Sequence, residues 1–242
     1  YDTQSGLQMN RLLHGDVGCG KTLVATFAML LALDNGWQAC MMAPTEILAQ
    51  QHYDTLSSQL APLGIEVALL TGSTPQRERT TILEDLAQGS LRVLVGTHAL
   101  LEERVQFAHL ALAVIDEQHR FGVVQRARLW EKSLDLLPHV LIMSATPIPR
   151  TLSLVLHKDL DVSIIAELPK NRLPIKTIAE NKKNETKIFN FIKKQLYLGR
   201  QAYVVCPLVE ENEDLNLISV NELYLKINDM FGKEFSVSIL HG

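Results

Sequence analysis

One eight-residue segment constrains this chain more than any other. It reads Gly15-Asp16-Val17-Gly18-Cys19-Gly20-Lys21-Thr22, a G-x-x-x-x-G-K-T phosphate-binding loop between a short apolar run and a long helical one. A strand, a glycine turn and a helix N-terminus direct backbone N–H groups and the positive end of a helix dipole at one anion. Lys21 can reach the β- and γ-phosphates, and the Thr22 hydroxyl can ligate Mg²⁺. We therefore predict that these eight residues bind a nucleoside triphosphate, in preference to a chance glycine turn before a core helix.

The composition is that of a chain with a sizeable core. Its 242 residues are 47% hydrophobic, enough for one large or two smaller domains. The longest apolar stretch, residues 23–33, is too short to span a bilayer, and no secretory signal is visible. The three cysteines show neither metal-ligand nor disulfide spacing, which suits a reducing cytosol. We therefore predict a cytoplasmic protein with no membrane partner.

The net charge limits how the chain could hold a nucleic acid. A formal charge of −4 argues against a broadly basic binding surface. It does not exclude nucleic acid, because backbone amides, hydroxyls and helix N-termini can also bind phosphates.

Strand-like and helical segments alternate through the first two thirds of the chain. This alternation predicts βαβ units and an α/β fold with a mostly parallel, buried sheet. The predicted strands cover residues 10–13, 38–42, 66–70, 92–95, 112–115, 140–143 and 163–165. The predicted helices cover residues 21–34, 46–59, 75–88 and 123–132.

The composition changes after Arg150, where lysine replaces arginine as the main positive residue and Asn and Ile become more frequent. The polar, proline-bracketed segment 168–174 is typical of an interdomain linker. It separates a domain at residues 1–167 from the start of a second α/β domain at residues 175–242. In the second part we predict strands at 175–179, 202–206 and 236–240, and helices at 185–198 and 220–230. The reason for the change in composition stays open.

Two carboxylates follow the apolar strand at residues 110–115, in the segment Asp116-Glu117-Gln118-His119. The carboxyl end of a buried parallel strand lies at the ligand-binding edge of such a sheet. There Asp116 can hold Mg²⁺, directly or through water, while Glu117 can orient and deprotonate an attacking water. A solvated strand end is the simpler explanation, but the phosphate loop in the same chain favours the catalytic one.

Small hydroxyl residues follow the next predicted strand, in the segment Ser144-Ala145-Thr146. They can hydrogen-bond to the acidic segment or to His119. The alternative is that Ser144 and Thr146 only cap a following short helix. Their spacing from the acidic segment favours coupling over capping alone.

The motifs together resemble the first motor domain of superfamily 2 helicases, over nearly all of residues 10–165. They are the phosphate loop, Ala43-Pro44-Thr45-Glu46, Thr71-Gly72-Ser73, Val95-Gly96-Thr97-His98, Asp116-Glu117-Gln118-His119 and Ser144-Ala145-Thr146. Longer strings at 10–18, 116–123 and 146–151 are similar to bacterial RecG helicases and to transcription-repair coupling factors. Gln118 and the segment 129–132 favour the RecG family.

The resemblance implies a RecA-like fold and an ATP-dependent DNA helicase that uses Mg²⁺. Such a monomeric motor remodels stalled replication forks and branch-migrates recombination junctions, so branched double-stranded DNA is the expected partner. Residues implied in catalysis are Lys21, Asp116, Glu117 and His119, with Thr22 and Asp116 on the metal. Residues implied in the DNA track are Pro44, Thr45, Gly72, Gly96 and Thr97. Residues implied in coupling are Gln118, Ser144, Thr146 and Arg150.

The resemblance also implies parts outside these 242 residues. The adenine-reading segment and the wedge domain are expected upstream of Tyr1, and an arginine finger beyond Gly242. Loss of such a finger costs on the order of 10³–10⁵ in rate in related phosphoryl-transfer systems. We therefore expect this chain to bind Mg-ATP, to hydrolyse it poorly and to unwind nothing by itself.

Three other functions would use part of this pattern. A transcription-repair coupling translocase shares most of the motifs. A phosphotransferase would not explain the ordered motifs at Thr71, Gly96 and Ser144. A non-catalytic, ATP-gated DNA-binding module would not need both Asp116 and Glu117. The sequence leaves translocation polarity, preferred junction and oligomeric state undetermined.

Overall fold

The computed structural model describes residues 7–116, 132, 137–145, 160–167, 175–206 and 219–240. The chain forms two compact units, Tyr1–Arg172 and Leu173–Gly242. The division between them falls within the segment 168–174, and the domain limits at 167 and 175 stay a prediction.

The first unit contains a seven-stranded sheet in which all paired strands are parallel. The strands are β1 (Asn10–Gly15), β2 (Gln38–Met42), β3 (Val67–Leu70), β4 (Val93–Gly96), β5 (Leu110–Asp116), β6 (His139–Ser144) and β7 (Asp161–Ile165). Their order across the sheet is β3-β4-β2-β5-β6-β1-β7. The α/β class and the parallel sheet are thus confirmed.

Three helices of the first unit follow β1, β2 and β3. They are α1 (Lys21–Asp34), α2 (Glu46–Leu60) and α3 (Gln76–Gln88), each within one residue of its predicted limits. The helix predicted at 123–132 lies outside the described residues. Within the described part of the chain, no helix is both long and apolar enough to cross a membrane.

The central strands of the sheet are covered on both faces, which explains their continuous apolar sequence. Alternate residues of β2 belong to two separate buried clusters, one that includes Ile82 of α3 and one that includes Met29 of α1 and Leu56 of α2. All five residues of β2 are buried. Burial raises the pKa of the Cys40 thiol to about 12, so this side chain behaves as an apolar core group.

In the described part of the second unit there are two α-helices, α4 (Glu185–Tyr197) and α5 (Val220–Phe231). Phe189 and Phe231 meet edge to face with ring centroids 6.0 Å apart. The helices agree with the prediction, but the predicted strands at 175–179, 202–206 and 236–240 are not formed among the described residues. A strand is defined by its hydrogen-bonded neighbour, and a local apolar pattern cannot specify that neighbour.

Candidate nucleotide and nucleic-acid site

The predicted phosphate loop and the acidic segment start from the same edge of the sheet. Gly15 ends β1, Asp116 ends β5 and Ser144 ends β6. β6 pairs in parallel with both β1 and β5, and its Met143 lies beside Leu13 and Asp116. The carboxyl ends of these three strands therefore meet at one edge, where ligands bind in open α/β sheets.

The glycines of the loop are required by its backbone. Gly18 and Gly20 have φ values of 78° and 96°, in the left-handed region that glycine adopts without strain. A Cβ on Gly15 would lie 2.6 Å from Cys19 Sγ and 3.1 Å from Ile165 Cβ. At Gly20, which precedes α1, no atom of a residue beyond its chain neighbours and the helix backbone lies within 4 Å of where a Cβ would be. The loop therefore makes a tight turn that leaves open space at the helix N-terminus.

Lys21 is held across this loop by backbone carbonyls. Its Nζ donates to the oxygens of Gly15 at 2.8 Å and Asp16 at 2.9 Å. The Cys19 N–H also donates to Asp16 O, at 3.2 Å, and the Asp16 carboxylate accepts from the Val17 N–H at 2.7 Å. An ammonium has three donors, so these contacts fix the charge against the loop.

The residues present fit Mg²⁺ bound together with a nucleotide. The described residues contain no group of three or more His, Cys, Asp or Glu that could hold a metal. Mg²⁺ usually takes only one or two protein oxygens and completes its shell with water and substrate phosphates. The Thr22 hydroxyl and the Asp116 carboxylate, both predicted as ligands, are oxygen donors of this kind.

Asp116 has a partner that sequence reasoning missed. Its Oδ2 lies 2.7 Å from Nε2 of His52 on α2. The side chains are only 13% and 12% exposed, respectively. An ionised carboxylate can only accept, so Nε2 carries the hydrogen in this contact. The two residues are 64 positions apart, and no local pattern signals the pair.

Several predicted site residues fall in other parts of the chain. Glu117, Gln118, His119, Thr146 and Arg150 lie outside the described residues. Their catalytic and coupling roles stay predictions. Ser144 is described, and it is buried at the end of β6.

Two loops of the predicted DNA track are joined by hydrogen bonds. The Thr45 hydroxyl accepts from the Leu48 N–H at 3.3 Å and so caps α2, next to Pro44. The Glu46 carboxylate accepts from the Ser73 N–H at 3.2 Å and from the Ser73 hydroxyl at 2.9 Å. A Cβ on Gly72 would lie 3.2 Å from Glu46 Oε1, so the two loops touch at this point. Sequence reasoning gave Glu46 no role.

In the third loop of the predicted track, which follows β4, the packing of the fold itself accounts for Gly96 and Thr97. A Cβ on Gly96 would overlap the Leu70 carbonyl oxygen and Leu100 Cδ1. Thr97 is buried, and its N–H donates to Leu70 O at 3.3 Å. This amide is therefore used within the fold, and the exposed residue of the loop is His98. A DNA contact by Gly96 and Thr97 stays a prediction.

A buried arginine supports the loop after β3. Arg79 donates to Thr71 O at 2.7 Å and to both carboxylate oxygens of Glu102 at 2.9 and 3.1 Å. Burial alone would raise the pKa of Glu102, but hydrogen bonds from Arg79 and Arg104 hold it below its usual value of 4.5. Arg79 was not singled out by the sequence, because its partners come from two other segments.

Comparison with known proteins agrees with this geometry. The model of the DEAD/DEAH box helicase family matches residues 4–155. The chain is 47% identical over 241 residues to the ATP-dependent DNA helicase RecG of Borreliella burgdorferi and 46% identical to that of Bacillus subtilis. Each alignment covers 100% of this chain and 35% of the relative.

A solved structure of RecG bound to a three-way DNA junction matches with a TM-score of 0.75 at 37% identity. It covers 94% of this chain and 29% of that one. The chain thus spans about a third of the length of these relatives. The resemblance to RecG inferred from the motifs is confirmed, and the chain belongs to the DEAD/DEAH box helicase family.

Proposed function

We propose that this chain forms the ATP-binding part of a DNA helicase that remodels stalled replication forks and branch-migrates recombination junctions. The observation that carries the proposal is the shared sheet edge from which the phosphate loop and Asp116 both extend. The similar proteins are named ATP-dependent DNA helicases, and one was solved on a three-way DNA junction. These names support ATP as the fuel and branched DNA as the partner.

The residues of the edge suit phosphoryl transfer to water. The loop N–H groups and the Lys21 ammonium bind the phosphates, and the Thr22 hydroxyl and Asp116 carboxylate hold Mg²⁺. When bound, Mg²⁺ neutralises charge that develops on the phosphate oxygens. Glu117 orients and deprotonates the attacking water. His119 and Gln118 report the nucleotide state to Ser144 and Thr146, with Arg150 in the same network.

DNA binds, in this proposal, along the loops that follow β2, β3 and β4. These strands are neighbours in the sheet, so their carboxyl ends are adjacent. Pro44, Thr45, Gly72, Gly96 and Thr97 belong to this track. Backbone amides and hydroxyls of these loops, apart from the Thr97 amide that donates to Leu70 O, bind phosphates there without a strongly basic surface, which agrees with the net charge of −4. We further propose a monomeric, cytoplasmic motor.

The test is Glu117→Gln in the protein at the full length of its relatives, with ATPase measured on a three-way DNA junction. We expect ATP turnover to fall by at least about 100-fold, the size of a general-base contribution, while nucleotide binding is retained. Glu103→Gln, at an exposed position of the first unit, is the matched control. Unchanged turnover in Glu117→Gln would overturn the assignment of the base.

A second arm uses the 242-residue chain alone. We expect it to bind Mg-ATP, to hydrolyse it poorly and to unwind no junction. Full DNA-stimulated turnover by this chain would contradict the expectation that a catalytic arginine is supplied from outside it.

A further inference from the structure

The contact between His52 and Asp116 connects helix α2 to the nucleotide edge of the sheet. Asp116 ends a strand at the nucleotide edge of the sheet, and His52 lies in the second turn of α2. Both side chains are nearly buried, and the 2.7 Å distance is that of a strong hydrogen bond to a charged group. Such a bond fixes the rotamer of the carboxylate.

Helix α2 starts in the predicted DNA track. The Thr45 side chain caps its first turn, and Glu46 is bound to Ser73 of the neighbouring loop. His52 follows Glu46 by six residues, about 9 Å along the helix axis at 1.5 Å per residue. Between and beyond them, Ala49 and Leu56 are fully buried against the sheet. The helix therefore links the two sites through packed atoms.

We propose that His52 is a positioning residue that holds the Asp116 carboxylate and joins it, through α2, to the Thr45–Glu46 end of the helix. This inference rests on the proposed function, because it assigns Asp116 to Mg²⁺ and the loop at Thr45 to DNA. His52 itself touches neither ligand.

The chemistry of the pair gives His52 a defined task. The hydrogen bond from Nε2 occupies Oδ2 of Asp116. Oδ1, which this contact leaves unoccupied by His52, is then the oxygen that would hold Mg²⁺ or its water. Partners of this kind, one step removed from the metal, typically contribute 10–100-fold to metal affinity. A small movement of α2 carries His52 with it and so changes the orientation of the carboxylate.

The test compares His52→Gln with His52→Asn, two amide substitutions that differ only in the length of the side chain. The side-chain nitrogen of Gln can occupy the position of His Nε2, whereas the shorter Asn cannot extend that far. Both residues are polar and no larger than histidine, so neither is expected to prevent folding. Gln51→Ala, at the exposed neighbouring position, is the control. Thermal unfolding of all four proteins checks that each is folded.

The first readout is the affinity for a fluorescent ATP analogue with Mg²⁺ and with EDTA. We expect the gain in affinity from Mg²⁺ to fall about tenfold in His52→Asn, and to stay within about threefold of the original in His52→Gln and Gln51→Ala. The second readout is hydrogen exchange of residues 43–52. Mg²⁺ and the analogue should slow this exchange in the original chain and in His52→Gln, but not in His52→Asn.

The outcomes separate the two proposals. If the original chain gains no affinity from Mg²⁺, the proposed function fails. If it does and His52→Asn behaves like the original chain in both readouts, the positioning role of His52 is overturned. If affinity changes but exchange at 43–52 responds equally in all variants, the link through α2 is overturned. A purely structural histidine would lower the unfolding temperature without changing the difference between Mg²⁺ and EDTA.

Discussion

The two units of the chain differ in the packing that stabilises each of them internally. The first contains a seven-stranded parallel sheet between two buried clusters, with strands such as β2 wholly enclosed. In the second, the described residues form two helices, with Phe189 and Phe231 as the buried aromatic pair. Tyr203 and Val205 of the second unit are 89% and 90% exposed.

Charged contacts also differ between the units. In the first unit, Arg79 is buried and bound to Glu102 and a backbone carbonyl. In the second, the ion pairs Lys193–Glu234 and Lys226–Glu185 join partly exposed side chains. Exposed pairs typically contribute about 0–1 kcal/mol each, whereas a buried charge without its partner is costly. The first unit has its own buried core, so its sheet can present a rigid edge to ligands. Because this core does not depend on the second unit, we expect the two units to unfold in separate transitions.

Among substitutions that separate the two units, we expect Gly96→Ala to have the largest effect on stability. A Cβ at this position overlaps the Leu70 carbonyl oxygen, a backbone atom that cannot move aside without disturbing β3. We expect the free energy of unfolding of the first unit to fall by about 3 kcal/mol or more. Calorimetry should show the first-unit transition move while the second-unit transition stays in place.

Gly72→Ala is the control for that substitution, because its Cβ meets only the Glu46 carboxylate end at 3.2 Å. It should change stability by less than about 1 kcal/mol. Equal destabilisation by both substitutions would contradict the packing role assigned to Gly96.

The next largest effect is expected from Phe189→Ala in the second unit. Removal of this ring eliminates the edge-to-face contact with Phe231. We expect the free energy of unfolding of the second unit to fall by about 3 kcal/mol, the lower end of the range for buried Phe→Ala substitutions. Phe191→Ala, at a ring 56% exposed on the same helix, should have little effect. Loss of nucleotide binding in Phe189→Ala would break the independence of the two units.

A smaller effect is expected from Arg79→Met. The substitution keeps the apolar stem but leaves Glu102 and the Thr71 carbonyl without this donor, a cost of about 2 kcal/mol. Urea unfolding measures it, and Arg77→Met on the exposed face of α3 is the control. If the two variants are equally stable, the Arg79 contacts do not support the first unit.

The smallest effect is expected from acid. The folded pKa of Glu102 lies below its usual value of 4.5, so its contribution is fully present above that value and is lost as the pH falls through the folded pKa. Glu102→Gln should therefore unfold more easily than the original chain at pH 7, and the difference should shrink toward pH 3. A difference that grows with acid would contradict the direction of this pKa shift.

The sequence predicted most of the first unit because its signals are local. The glycine loop, the helical periodicity of residues 21–34 and the continuous apolar strand at 38–42 each indicate their structure within a few residues. The position of Asp116 at the ligand edge followed from the parallel sheet. The strands predicted at 175–179, 202–206 and 236–240 are not formed among the described residues, because an apolar segment does not reveal whether a neighbouring strand pairs with it.

The contacts that the sequence did not reveal all join distant segments. His52 reaches Asp116 across 64 positions, and Glu46 reaches Ser73 across 27. His52 and Glu46 both lie at ordinary positions of α2, where a polar side chain is usually solvated. Only the packing of α2 on the sheet brings these groups to their partners.

The central claim is that the edge formed by β1, β6 and β5 binds a nucleoside triphosphate through the loop at residues 15–22. Titration of the chain with a fluorescent ATP analogue and Mg²⁺ tests it most directly, with Lys21→Ala compared with Lys233→Ala at an exposed position of the second unit. We expect saturable binding that Lys21→Ala weakens by at least about tenfold, since a hydrogen bond to a charged group contributes about 1.5–3 kcal/mol, and that Lys233→Ala leaves unchanged. Equal affinity in the original chain and in a folded Lys21→Ala variant would contradict the account.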